Sequence, residues 1–286
     1  MIITHRPAID YLTLTTREYK AARRIEKWVV SRNLEPLRTG LGGNGYEGAI
    51  GDGWFIGEAE KTGKPSYMGR FSGGLADVFM FDKLRPHALD CTRIDLQITL
   101  PTDLKGEQLY KPSLVLSNLL YHHEQRRGQR ARNVDPIVPP DGTFTIYLGN
   151  RKQGSQRFTR FYVKPQDDGE DWLLRFETEF KGKKGLAGKV YRLVGKEPLS
   201  MVSILAGELS MWPNHPLITP FKEHLRNVPK EVMAMERTRP TPNSTLAWIV
   251  KQVFPAWKRL LGHEDTRDRA TVLLYELLAF AEGLEA

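Results

Sequence analysis

The sequence predicts an α+β protein: a mainly antiparallel sheet with helices packed on it over residues 1–195, then a C-terminal α-helical domain over 196–286. Three observations predict this. Residues 141–182 hold three short runs of alternating apolar and polar residues, separated by turn-rich spacers. Two earlier stretches, Ile9–Thr15 and Thr92–Leu100, alternate in the same way. Beyond Val194 alternation disappears and helical spacing takes over.

Taken in order, IDYLTLT (Ile9–Thr15) is a first strand with Asp10 near its start. Thr16 is placed to cap a helix running to about Ser31, with Ala21, Ile25, Trp28 and Val29 as its apolar stripe. Glycine is dense from Gly40 to Gly53. No Gly-Lys-Ser/Thr follows, so tight turns between short strands explain it better than a phosphate-cradling loop. Trp54–Ala59 and Tyr67–Phe71 are strands, and LADVFMFDKL after them fits no single type. In Thr92–Leu100, Ile94, Leu96, Ile98 and Leu100 face one way, and Arg93, Asp95, Gln97 and Thr99 the other. A helix over Leu114–His123 runs into EQRRGQRAR, and the proline-rich 133–142 leads to the three alternating runs.

In those runs Phe144, Ile146 and Leu148 alternate with Thr143, Thr145 and Tyr147; Thr159, Phe161 and Val163 with Arg160, Tyr162 and Lys164; Trp172, Leu174, Phe176 and Phe180 with Arg175, Glu177 and Glu179. One sheet face is therefore apolar and the other gathers Tyr, Arg, Lys and Glu. KKGLAGKVYRL, with Lys181, Lys183, Lys184 and Lys189 flanking glycines, reads as a phosphate-contacting loop or a soluble turn. Helices follow over Leu199–Leu209, Phe221–Leu225, Thr245–Leu261 (kinked or ended at Pro255) and Arg267–Leu284.

Charge and composition narrow the function. A net charge of +8 and a pI near 9.5 point to a polyanionic partner, nucleic acid before an anionic membrane surface, with solubility alone as the plain reading. The single cysteine, Cys91, excludes an internal disulfide framework and a multi-cysteine zinc site. No apolar run approaches the roughly 20 residues that span a bilayer, and the N-terminus lacks a signal-peptide layout, so a soluble, cytoplasmic protein is expected. Arg126, Arg127, Arg130 and Arg132 form the densest basic run, either a solvated helix end or a clamp on phosphates. Adjacent on a helix, His122 and His123 diverge and do not chelate one metal together. Asp95 in mid-strand needs a partner, either an arginine such as Arg93 or a divalent metal. Tyrosine beside arginine, with carboxylates one strand away, suits a site that cuts phosphodiesters.

The stretches IDYLTLT, RIDLQITL, GTFTIYLGNRKQGSQRFTRFYVK and WLLRFETEFKGK, with STLAWIVKQVFPAWKRLL in the tail, resemble the replication initiation factor family of rolling-circle plasmids, phages and integrative elements. The resemblance implies a site- and strand-specific DNA endonuclease that nicks and rejoins one strand through a covalent 5′-phosphotyrosine. It implies Tyr162 as nucleophile, with Tyr147 the runner-up, and Arg160 and Lys164 as its cationic neighbours. Arg160 has a second reading as a structural pair with Glu177. Asp95, Glu177 and Glu179 are the implied ligands of Mg²⁺ or Mn²⁺. Arg126, Arg127, Arg130, Lys183 and Lys184 are the expected DNA contacts. Origin DNA, duplex and single-stranded, is the implied partner, with a host helicase and a second copy of the chain as further candidates and no membrane. The helical tail, with Lys251, Lys258 and Arg259, is a duplex reader or an oligomerisation element. Thr99 and Val163 depart from the family pattern, standing where it often has acids. The alternative to the nuclease is a non-catalytic, sequence-specific DNA-binding regulator on the same scaffold.

Overall fold

The alternating segments assemble into one antiparallel sheet. The computed structural model describes residues 7–82, 89–104, 107–128, 131–139, 143–150, 155–165, 172–182, 184–233 and 254–281. Its strands are β1 (Ala8–Thr16), β2 (Pro36–Gly43), β3 (Tyr46–Gly51), β4 (Trp54–Lys61), β5 (Lys64–Ser72), β6 (Asp90–Thr102), β7 (Val134–Ile137), β8 (Phe144–Gly149), β9 (Arg157–Pro165) and β10 (Trp172–Lys181). They hydrogen-bond in the order β2-β3-β4-β5-β1-β6-β10-β9-β8-β7. The helices are α1 (Tyr19–Ser31), α2 (Gly74–Phe81), α3 (Glu107–Gln125), α4 (Leu186–Lys196), α5 (Ser200–Ser210), α6 (Thr219–His224), α7 (Phe254–Gly262) and α8 (Glu264–Ala281). None of the described helices is long and apolar enough to cross a membrane.

One face of the sheet holds the core. Phe71, Leu12, Ile94 and Phe180 lie in one row across β5, β1, β6 and β10. Trp28 of α1 meets Phe71 and Phe79 edge-on, with ring centroids 5.3 and 4.9 Å away. Phe221 of α6 reaches Phe161 and Phe176 at 6.2 and 6.4 Å. Each of α1 to α6 contributes buried residues to this one cluster. Each large side chain buried this way contributes about 1.5–3 kcal/mol.

The glycine-rich stretch is a pair of hairpins. Asn44 and Gly45 both take positive φ (52° and 73°), the geometry of a tight two-residue hairpin turn between β2 and β3. Gly48 lies so close to β4 that a Cβ there would sit 2.0 Å from the Ile56 carbonyl oxygen. Tyr46, Phe55 and Met68 form a second, smaller core in this wing.

Two stretches differ from their sequence reading. LADVFMFDKL begins as α2, which buries Ala76, Phe79 and Met80 and offers Asp77 to the Ile9 amide at 3.1 Å. The lysine–glycine stretch after β10 becomes helix α4 from Leu186, because Leu186, Val190 and Val194 recur at helical spacing and are all buried. Packing also sets the division of the chain. The chain falls into two compact units, Met1–Met235 and Glu236–Ala286, and buried residues of α5 and α6 belong to the core cluster on the sheet. In that second unit the described residues form α7 and α8, with Lys258 and Arg259 exposed on α7. Lys251 lies outside the described residues.

Candidate active site

The polar face of β1, β6, β10, β9 and β8 forms a grid fixed by register. One row reads Thr99, Arg175, Tyr162, Thr145 across β6, β10, β9 and β8. The next reads Gln97, Glu177, Arg160, Tyr147, and the third Asp95, Glu179, Phe158, Gly149. Alternation alone places these residues on one face, and the antiparallel register makes them neighbours. A bulge adds a fifth strand's contribution. The pairing of β1 with β6 shifts between Ile9 and Tyr11, so Asp10 falls at the irregularity, and its carboxylate lies 3.8 Å from the Arg175 guanidinium. The sequence signalled this in its parity, because Ile9 and Leu12 are both buried although they are three positions apart.

Tyr162 stands at the centre. Its hydroxyl donates to Glu177 Oε2 at 3.2 Å and accepts from Arg175 Nη1 at 3.2 Å. Arg175 is itself held by Nε donating to Thr99 Oγ1 at 2.9 Å. Arg160 donates to Glu177 Oε1 and lies 3.7 Å from Asp95 Oδ2, bridging two carboxylates. Arg93 binds Asp95 through Nε at 2.8 Å and reaches Glu179 at 2.9 Å, while its guanidinium stacks 4.0 Å over the Tyr11 ring. Lys181 closes on Glu179 at 2.6 Å.

Asp95 and Glu177 are 0% exposed and Glu179 only 2%, yet the arginines above them remain open to solvent, Arg93 at 28%, Arg160 at 21% and Arg175 at 18% of the side chain. The carboxylates form a floor and the guanidiniums a roof that a phosphate can touch. Burial dominates the electrostatics. It pushes the Tyr162 hydroxyl above its ordinary value; the Glu177 charge adds to this and Arg175 opposes it. Burial likewise raises the Asp95 carboxyl, against the pull of Arg93. Arg160 is held more firmly protonated by Glu177, despite its own burial.

The expected site residues sort into three groups. Tyr162, Arg160, Asp95, Glu177 and Glu179 come together on this face, while the Lys164 side chain lies outside the described residues. Tyr147 sits beside Arg160, diagonal to Tyr162. The expected DNA contacts form a third group. Arg126 is exposed, Arg127 is tied to buried Glu124 at 3.0 Å, Lys184 is exposed in the turn before α4, and Arg130 and Lys183 lie outside the described residues. The sequence reading did not assign Arg175, Gln97 or Asp10 to the site. Arg175 was signalled by its place two residues before Glu177 on the same strand face.

Among the described residues, no group of three or more His, Cys, Asp or Glu is placed to hold a metal ion by itself. The donor chemistry nevertheless suits a hard divalent cation. Asp95 and Glu177 offer carboxylate oxygens, and Gln97 Oε1, opposite Glu177 in register, is buried with no hydrogen-bond partner. A cation taking these oxygens has to displace Arg160 from between them.

No protein-family model matches the chain, and no curated protein matches it by sequence. Among solved structures, a rolling circle replication initiator protein from Geobacillus stearothermophilus is similar in fold, with a TM-score of 0.51 and 15% sequence identity over 80% of this chain and 99% of that one.

Proposed function

We propose that the chain is a rolling-circle replication initiator, a DNA nicking and joining endonuclease that acts through Tyr162. The observation that carries this reading is the contact of one tyrosine hydroxyl with both a buried carboxylate, Glu177, and a solvent-reaching guanidinium, Arg175. The fold shared with the Geobacillus initiator supports it. In the proposed step Tyr162 Oη attacks the scissile phosphorus and its proton passes to Glu177 Oε2. The bond from phosphorus to the 3′ oxygen breaks, the 3′ oxygen takes a proton from solvent, and the 5′ phosphate stays on the tyrosine. Arg175 and Arg160 face the charge that grows on the phosphate. Bond energy is conserved in the phosphotyrosine, so rejoining needs no nucleotide cofactor.

A tyrosine hydroxyl is protonated at neutral pH and burial raises that of Tyr162 further, so the proposed step needs a base, Glu177. Asp95 and Glu177, with Gln97 beside them, are the residues that would hold Mg²⁺ or Mn²⁺. Such an ion, when bound, supplies polarisation of a phosphate oxygen. Origin DNA is the proposed partner, with a helicase and a second copy of the chain as further candidates. The second reading, a DNA-binding regulator without chemistry, draws on the arginine-closed carboxylates.

The test uses a pool of 3′-labelled random single strands with Mg²⁺ or Mn²⁺, read on a denaturing gel. A labelled covalent adduct is expected, located on Tyr162 by mass spectrometry and lost in Tyr162→Phe. An adduct that forms undiminished in Tyr162→Phe sinks the assignment, and no adduct in the wild type favours the regulator.

A further inference from the structure

Beside the tyrosine, at the β7 end of the sheet, lies a cavity of about 320 Å³ lined by Asn133, Asp135, Ile137, Tyr147, Asn150 and Phe158, among others. Register fixes its distance from the chemistry. Tyr147 on β8 is opposite Arg160 and diagonal to Tyr162 on β9, a separation of about 7–8 Å. One extended nucleotide bridges such a gap. A strand whose phosphate meets Tyr162 can therefore place a neighbouring base in this cavity.

The lining suits a base and not a phosphate. Tyr147 and Phe158 stack with ring centroids 5.3 Å apart at 24°, an aromatic platform of the kind on which bases stack. Asp135 pairs with Tyr147 across β7 and β8, so a carboxylate borders the platform. A carboxylate repels a phosphate but accepts a hydrogen bond from an exocyclic amine. Cytosine offers that amine at N4. Thymine offers a carbonyl oxygen at the same place, which a carboxylate rejects.

We propose that this cavity is a nucleobase pocket for a nucleotide flanking the phosphate at Tyr162, and that Asp135 makes it select bases carrying an amino group. The proposal rests on the reading of Tyr162 as the residue that meets the scissile phosphate. Tyr147 is then a positioning residue whose ring, not its hydroxyl, is used.

The test compares binding of labelled dC12 and dT12 by fluorescence anisotropy at pH 8 and fixed salt. The wild type is expected to prefer dC12 by about tenfold. Tyr147→Ala should weaken dC12 by about tenfold, whereas Tyr147→Phe, which keeps the ring, should retain dC12 binding. Asp135→Asn removes a negative charge and should tighten both oligonucleotides, while the ratio between them falls towards one because an amide both donates and accepts. An unchanged ratio in Asp135→Asn, or full dC12 binding in Tyr147→Ala, overturns the pocket. If either occurs while the adduct on Tyr162 still forms, the pocket alone fails and the nicking reading stands. A dC12 preference that depends on Asp135 and Tyr147 without any adduct supports the pocket and overturns the nicking reading.

Discussion

Glu177 and Glu124 are both fully buried carboxylates held by arginines, yet their surroundings put them to different uses. At the end of α3, Glu124 accepts from Arg127 Nη1 at 3.0 Å, Arg132 Nη2 at 2.7 Å and the Arg132 amide at 2.8 Å. Burial raises its carboxyl, but these bonds more than offset that and leave it below the ordinary value. Every one of those donors belongs to a permanent cation or the backbone, so Glu124 has no proton to exchange. Glu177 accepts from Arg160 on one oxygen and from the Tyr162 hydroxyl on the other. One of its donors is a weak acid, which turns the same pairing into a proton acceptor. A basic run in the sequence is thus partly scaffold, while Arg160 on β9 and Arg175 on β10, outside any basic run, are the ones gathered at the tyrosine.

The largest expected effect breaks that contrast directly. Glu177→Gln keeps the shape and removes the proposed base, and the proposed nicking should fall by about 10²–10⁴-fold with the fold retained. Glu124→Gln should do the reverse, lowering the melting temperature while the adduct rate of the remaining folded protein stays near wild type. Adduct kinetics and thermal melts on both variants decide the matter. Equal losses of rate in the two would erase the distinction between base and scaffold.

Much of the fold was legible in the sequence because alternation is a direct record of a half-buried sheet. Ile94, Leu96, Ile98 and Leu100 declared β6, and Phe144, Ile146 and Leu148 declared β8. Helix α4 was hidden because its glycines and lysines dominate the local composition, although Leu186, Val190 and Val194 carry helical spacing. For the site, parity gave the face but not the neighbours. That Arg175, and not only Arg160, touches the tyrosine depends on the register between β9 and β10, which no single strand's sequence contains. Asp10 escaped because a bulge, not alternation, brings it towards Arg175.

A third buried carboxylate extends the comparison with fewer partners still. Glu208 on α5 has Arg157 Nη1 at 3.3 Å, and neither of its oxygens has a hydrogen-bond partner. Burial pushes it from 4.5 up to about 7, with Arg157 pulling the other way. Between those values the folded chain holds a proton that the unfolded chain has released. This contribution to stability is therefore full below the window, declines as pH rises through it and is flat above about 7. The loss amounts to about 1.4 kcal/mol per pH unit within the window. Melting temperatures from pH 5 to 8 should fall in the wild type and fall less in Glu208→Gln. A variant with an unchanged slope would show that another group sets the profile.

The smallest effect separates two adjacent arginines in the basic run. Arg126 is exposed, and among the described residues its guanidinium Nε donates to the His122 carbonyl at 3.4 Å. Arg127 spends its charge on Glu124. A phosphate that binds Arg126 releases a counterion, whereas one that binds Arg127 must compete with a buried carboxylate. In duplex binding measured across salt concentrations, Arg126→Ala should therefore reduce the salt slope by about one. Arg127→Ala should leave that slope in place and lower the melting temperature instead, because it strips a partner from Glu124. If both variants reduce the slope equally, Glu124 does not hold Arg127 back from DNA, and the run acts as one phosphate clamp.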